Sequence, residues 1–161
     1  FNRFHIKYYF FDSLSIFKNL IIKYMGYKYS IWLIPNNWKD IKKFYKMNHI
    51  PHITIKTLLL YDEALKLFKN YDNKYKVNFK DNIYDFKNLS YHHEPKNEFP
   101  ASGYFCKIEN LELDHKPHMT IHYKYNDKVI YNKSPNNIEG TVFIVNTISD
   151  NPEEWNIITI I

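Results

Sequence analysis

Pro51-His52-Ile53-Thr54-Ile55 is answered by Pro117-His118-Met119-Thr120-Ile121, a repeat 66 positions on (118 minus 52) with four of five residues identical. Proline opens each copy and isoleucine follows each threonine, which suits two strands. Side chains alternate along a strand, so His52, Thr54 and Lys56 share one face and Ile53, Ile55 and Thr57 the other. In the second copy His118, Thr120 and His122 share a face, backed by Met119, Ile121 and Tyr123. Each copy is a polar comb with an apolar back. One His-x-Thr carries no information, but two in matching contexts form a distinctive pattern.

Around the first copy the chain alternates strand and helix. Tyr27 to Ile34 is aromatic and β-branched up to Pro35, as a strand would be. Asn36 or Asn37 is placed to cap a helix through Trp38, Ile41, Phe44 and Tyr45. His52 to Leu60 is the motif strand, and Asp62 to Tyr71 a second helix with Leu65 and Phe68 inward. Lys74 to Lys80 and Asn82 to Lys87 read as paired strands about an Asp81-Asn82 turn. The aperiodic, proline-containing stretch Ser90 to Ser102 reads as a loop bordering two lobes, at about 27–89 and 103–161. Beyond it Gly103 to Glu109, His118 to Tyr125, Thr141 to Thr147 and Trp155 to Ile161 are expected strands.

Residues 1–26 are set apart as an N-terminal helical extension. The stretch Tyr8 to Met25 is apolar, but Asp12, Lys18 and Lys23 interrupt it, which predicts an amphipathic helix over 9–25 ended by Gly26, not a membrane span. A net charge of +5 favours an anionic partner. Arg3 is the only arginine, so phosphate would be held by Lys, His, Thr or backbone amides. Cys106 is the only cysteine: it excludes an internal disulfide, reads as a packed core residue, and suits a reducing, cytoplasmic setting. Abundant Lys, Asn, Ile, Tyr and Phe beside only two alanines, Ala64 and Ala101, is what AT-rich coding would produce, as in a large DNA virus or another AT-rich organism.

The paired His-x-Thr strands resemble the 2H phosphoesterase superfamily, with its RNA-ligase-like and cyclic phosphodiesterase members, over residues 27–161. That resemblance implies an α+β, bilobal fold in which two antiparallel-rich β-sheets flank a central cleft, with helices outside. It also implies a metal-independent phosphodiesterase, with His52 and His118 as the catalytic pair and Thr54 and Thr120 binding the phosphate. The chemistry stands independently: one imidazole near neutral pKa takes a proton from the attacking oxygen, another gives one to the leaving oxygen, and hydroxyls steady the phosphoryl charge. Neither metal nor cofactor is expected. The substrate implied is a nucleotide or short RNA: a 2′,3′-cyclic phosphate, a 2′,5′-oligoadenylate or a cyclic oligonucleotide signal. In a virus it would be a host alarm signal in the host cytoplasm.

Same-face geometry makes Lys56 and His122 candidates for substrate contact. The resemblance implies that Trp32 and Tyr104 sit on strands next to the motif strands, which makes them candidates to stack on a base; Tyr27, Tyr29, Tyr91 and Tyr123 offer the same chemistry. His115, His118 and His122 do not read as metal ligands, because on a strand His118 and His122 lie about 13 Å apart at ~3.3 Å per residue. His92-His93 falls in the loop, and His115 reads as a bystander to catalysis. The alternatives are a non-catalytic nucleotide-binding module, which would have lost one histidine, and an enzyme processing RNA ends. The lysines are scattered along the chain without a block, which favours a small nucleotide over long RNA; neither DNA nor a membrane is an expected partner.

Overall fold

The computed structural model describes residues 28–85, 102–122, 133–149 and 151–158, with only the backbone at 81–85. In chain order it contains β1 (Tyr29–Pro35), α1 (Trp38–Phe44), β2 (Ile53–Leu59), α2 (Tyr61–Phe68), β3 (Lys74–Asp85), β4 (Ser102–Ile108), β5 (His118–His122), β6 (Ile138–Asn146), a 3-10 turn (Pro152–Glu154) and β7 (Asn156–Ile158). The expected helix at 9–25, the loop at 90–101, His92, His93, Tyr27, Tyr91 and Tyr123 lie outside the described residues.

Alternation builds a closed wall. Ile31 and Leu33 of β1, Ile53 and Ile55 of β2, and Met119 and Ile121 of β5 point into one apolar interior, which Tyr104, Val77, Val142 and Ile144 fill from the other strands. The strands run in the order β1-β2-β5-β4-β3-β6, and β6 pairs again with β1. Every neighbouring pair is antiparallel, so this is a six-stranded antiparallel barrel with β7 added to β6. Helix α1 and the turn after it add Ile41, Tyr45 and Met47 to the interior cluster, and α2 adds Ala64.

The bilobal α+β arrangement is overturned by this closure. Strands β1, β2 and β3 from the first half interleave with β4, β5 and β6 from the second, so among the described residues neither half owns a sheet and no cleft divides them. The physical reason lies in β3. Asp81 and Asn82 do not reverse the chain; one strand runs through them, pairing with β6 at 74–77 and β4 at 77–85. Between Phe79–Cys106 and Ile83–Tyr104, β3 advances four residues while β4 advances two (83 − 79 against 106 − 104), so the polar residues sit in a bulge instead of a turn.

The helices match expectation more closely. Asn37 is the N-cap position of α1, although its side chain makes no capping bond. At α2 the Leu60 N–H donates to the Glu63 carboxylate at 3.1 Å. Gly103 fixes how closely β4 and β5 approach, because a Cβ there would stand 2.0 Å from the Met119 carbonyl oxygen. Among the described residues no helix is long and apolar enough to cross a membrane.

Candidate active site

The two motif strands are direct neighbours. β2 and β5 pair antiparallel with Ile53 opposite Met119. Counting one residue outward from that pair sets His52 opposite Thr120 and Thr54 opposite His118. Across four strands the row Leu33–Ile53–Met119–Tyr104 is fully buried in the barrel. The rows on either side face outward, and they carry all four motif side chains. One reads Trp32–Thr54–His118–Phe105; the other sets His52 and Thr120 side by side and ends at Gly103. The expected opposition across a cleft is thus replaced by one patch on the outer side of the barrel wall, where Thr54 and His118 are half-buried and His52 and Thr120 are buried. His52 and His118 are diagonal neighbours there, about 7–8 Å apart as such pairs are.

Each histidine is oriented by a carbonyl two residues before it. The His52 Nδ1–H donates to Ile50 O at 2.7 Å, and the His118 Nδ1–H to Lys116 O at 3.0 Å. A carbonyl only accepts, so both neutral rings carry the lone pair on Nε2. Their surroundings differ. The His52 ring lies flat on Trp32, with centroids 3.5 Å apart and planes 8° from parallel, and meets Trp155 edge-on. It is 5% exposed. Burial pushes its pKa down to about 3 against the opposing Ile50 carbonyl, with His49 and His118 lowering it further. His118 is half-buried beside Phe105; burial lowers its pKa too, and His115 adds to that.

Two further histidines brace the motifs crosswise. The His49 Nε2–H donates to Thr120 O at 3.0 Å, and the His115 Nε2–H donates to Thr54 O at 2.9 Å. His49 stands three residues before His52, as His115 does before His118, so each motif's leading histidine grips the other motif's threonine. His115 also reaches Asp114 at 2.8 Å. That hydrogen bond first, and the Lys56 charge second, hold the Asp114 carboxyl below its usual range. Sequence reasoning missed this pair, although the signal was present: the repeat is His-x-Pro-His-x-Thr, at 49–54 and 115–120. His115 is thereby tied to the first motif strand.

The other candidates separate. Lys56 reaches Asp114 at 3.5 Å on the exposed edge, and the half-buried His122 donates from Nε2 to Tyr45 O at 3.2 Å. Trp32 is at the patch, but its ring face is taken by His52. Tyr104 is fully buried inside the barrel, so it has no face for a base. Cys106 is buried and burial pushes its thiol up to about 12, which suits packing and not nucleophilic attack. None of three concavities on the described surface is lined by His52, Thr54, His118 or Thr120.

No family model, curated protein or solved structure matches the chain.

Proposed function

We propose that this protein is a metal-independent phosphodiesterase with 2H-type chemistry, acting on a ribonucleotide phosphodiester from the outer wall of a barrel. The observation that carries this reading is the antiparallel pairing about Ile53 and Met119, which puts two histidines and two threonines on one patch in twofold-like exchange. In the step envisaged, Nε2 of one histidine takes the proton of an attacking 2′-hydroxyl or water. The phosphorus–oxygen bond to the leaving group breaks, and Nε2–H of the other histidine protonates that oxygen. Thr54 and Thr120 donate to the non-bridging oxygens. Burial holds the His52 ring neutral, as the proton acceptor must be, so in this reading His118 carries the proton that is given. A cytoplasmic setting belongs to the same proposal.

The test is turnover in EDTA of 2′,3′-cyclic AMP, 2′,5′-oligoadenylate, cyclic dinucleotides and a short single-stranded RNA, beside the His52→Ala/His118→Ala protein. Cleavage of one class by wild type alone is expected; activity abolished by EDTA would sink the proposal. A second reading, a nucleotide-binding module without turnover, is favoured by one observation: His52 is nearly fully covered by Trp32 and Trp155. Binding without cleavage of any substrate would select it.

The crossed braces add an expected result. His115→Ala should lower kcat by up to about 10²-fold, because misplacing Thr54 by about 1 Å is enough to do so. His115→Gln, which retains a donor for the Thr54 carbonyl, should recover most of the loss. Equal kcat in wild type and His115→Ala would remove the brace from the mechanism.

A further inference from the structure

Lys39, Lys42, Lys43 and Lys46 fall at i, i+3, i+4 and i+7, so α1 and the turn after it gather onto one face lysines that look scattered in the sequence. With Trp38 and Asn48 they line a groove of about 410 Å³. Lys39–Lys43 is a like-charge i, i+4 pair, which destabilises a helix; Lys46 follows the C-cap with a left-handed φ of 53°, and among the described residues none of the four has a carboxylate partner. Asp40 lines a different concavity. The face therefore repels itself and is stabilised by any anion laid along it. From Lys39 to Lys43 it runs about 6 Å at 1.5 Å per residue, and Lys46 extends it past the helix end, so it exceeds one phosphate.

The chain itself joins the groove to the histidine patch. Asn48, in the groove's lining, precedes His49, whose ring is 6.0 Å from that of His52. Trp38 in its wall packs on the Trp32, Ile34 and Val145 cluster that also holds Trp155, and Lys39 Nζ lies 5.6 Å from the Trp38 ring centroid. Cations interleaved with an aromatic ring are the chemistry that grips a single strand of nucleic acid.

We propose that the groove holds the phosphates flanking the scissile one, so that the substrate is a single-stranded oligoribonucleotide several residues long. This assignment of the substrate class rests on the phosphodiesterase reading; the groove's binding role does not. The test is fluorescence anisotropy of a labelled oligouridylate of about ten nucleotides with the full chain carrying His118→Ala, from 50 to 200 mM NaCl. Four phosphate contacts give a slope near −2.8 in log affinity against log salt (~0.7 per contact), a loss of about 50-fold over that range. Lys39→Gln/Lys42→Gln/Lys43→Gln/Lys46→Gln should flatten the slope, the four-arginine counterpart should keep it, and Lys66→Gln/Lys69→Gln should leave it unchanged. An unchanged slope in a four-glutamine protein with wild-type circular dichroism would overturn the groove. If that protein fails to fold, a shallow slope in the four-arginine protein would do the same. Poly-glutamate or phosphatidylserine vesicles bound as tightly as the oligonucleotide would overturn the nucleic-acid assignment. Wild type should also cleave the ten-mer with kcat/KM at least tenfold above UpU, an advantage the four-glutamine protein loses. Failure to cleave either would sink the phosphodiesterase reading while the salt slope still decides the groove.

Discussion

His52→Ala and His118→Ala should each lower kcat/KM by about 10³-fold, within the 10²- to 10⁴-fold that a positioned acid or base contributes. The double substitution should cost little more than either one, because the two act as a unit. His122→Ala, which removes a donor to the Tyr45 carbonyl, should cost far less. The pH dependence of kcat/KM follows from the free protein's own groups. The pKa of His52 is about 3 and that of His118 lies below 6.5, both depressed by burial. One ring must be neutral and the other protonated, so activity rises with pH through about 3 and falls as pH climbs through the His118 value. The bell therefore tops out on the acid side of 6.5, with a tenfold fall per unit on its alkaline limb. An optimum above pH 7 would mean that the two imidazoles do not share the proton transfers.

What the sequence revealed and concealed can be traced to particular residues. The two-residue period at 52–55 and 118–121 puts the motif threonines and histidines on the polar side, and they lie there, because alternation is a local property of a strand. Which strand lies beside which is not local. Nothing at Ile53 announces Met119 as its partner, and the same combs could face each other across a cleft or lie side by side in a wall. Asp81-Asn82 shows the complementary error: a genuine polar interruption absorbed as a bulge because β4 continues alongside. The inward direction of Tyr104 was legible in principle. In Gly103-Tyr104-Phe105-Cys106-Lys107, Lys107 must point out, and Tyr104 then has the parity of Cys106. The lysine face of α1 was hidden for a simpler reason: stepwise gaps of three and four look scattered until wound on a helix.

The barrel should lose stability steeply between pH 6.5 and pH 5, through His49 and His52. Both are 5% exposed and neutral when folded, with pKa values pushed down to about 4 and about 3, burial being the largest cause in each. Unfolded, each returns to about 6.5. Below 6.5 the unfolded chain takes up protons that the folded one refuses, so stability falls with pH, by up to about 1.4 kcal/mol per unit for each group. From pH 6.5 to pH 5 the two together remove about 3 kcal/mol, a large share of the ~5–15 kcal/mol that holds a domain together. Urea midpoints at pH 5, 6 and 7 measure this, and a flat series would mean the two rings are not buried neutral. His49→Gln/His52→Gln should flatten the dependence, while the amide introduced in place of the His49 ring still donates to the Thr120 carbonyl. The same burial that aims the two rings sets the acidic limb of the rate against the unfolding transition. Turnover rises as pH falls from 8 toward 6, yet the fold carrying it loosens just below, so the observed optimum lies in a narrow window set by His118 above and by His49 and His52 below.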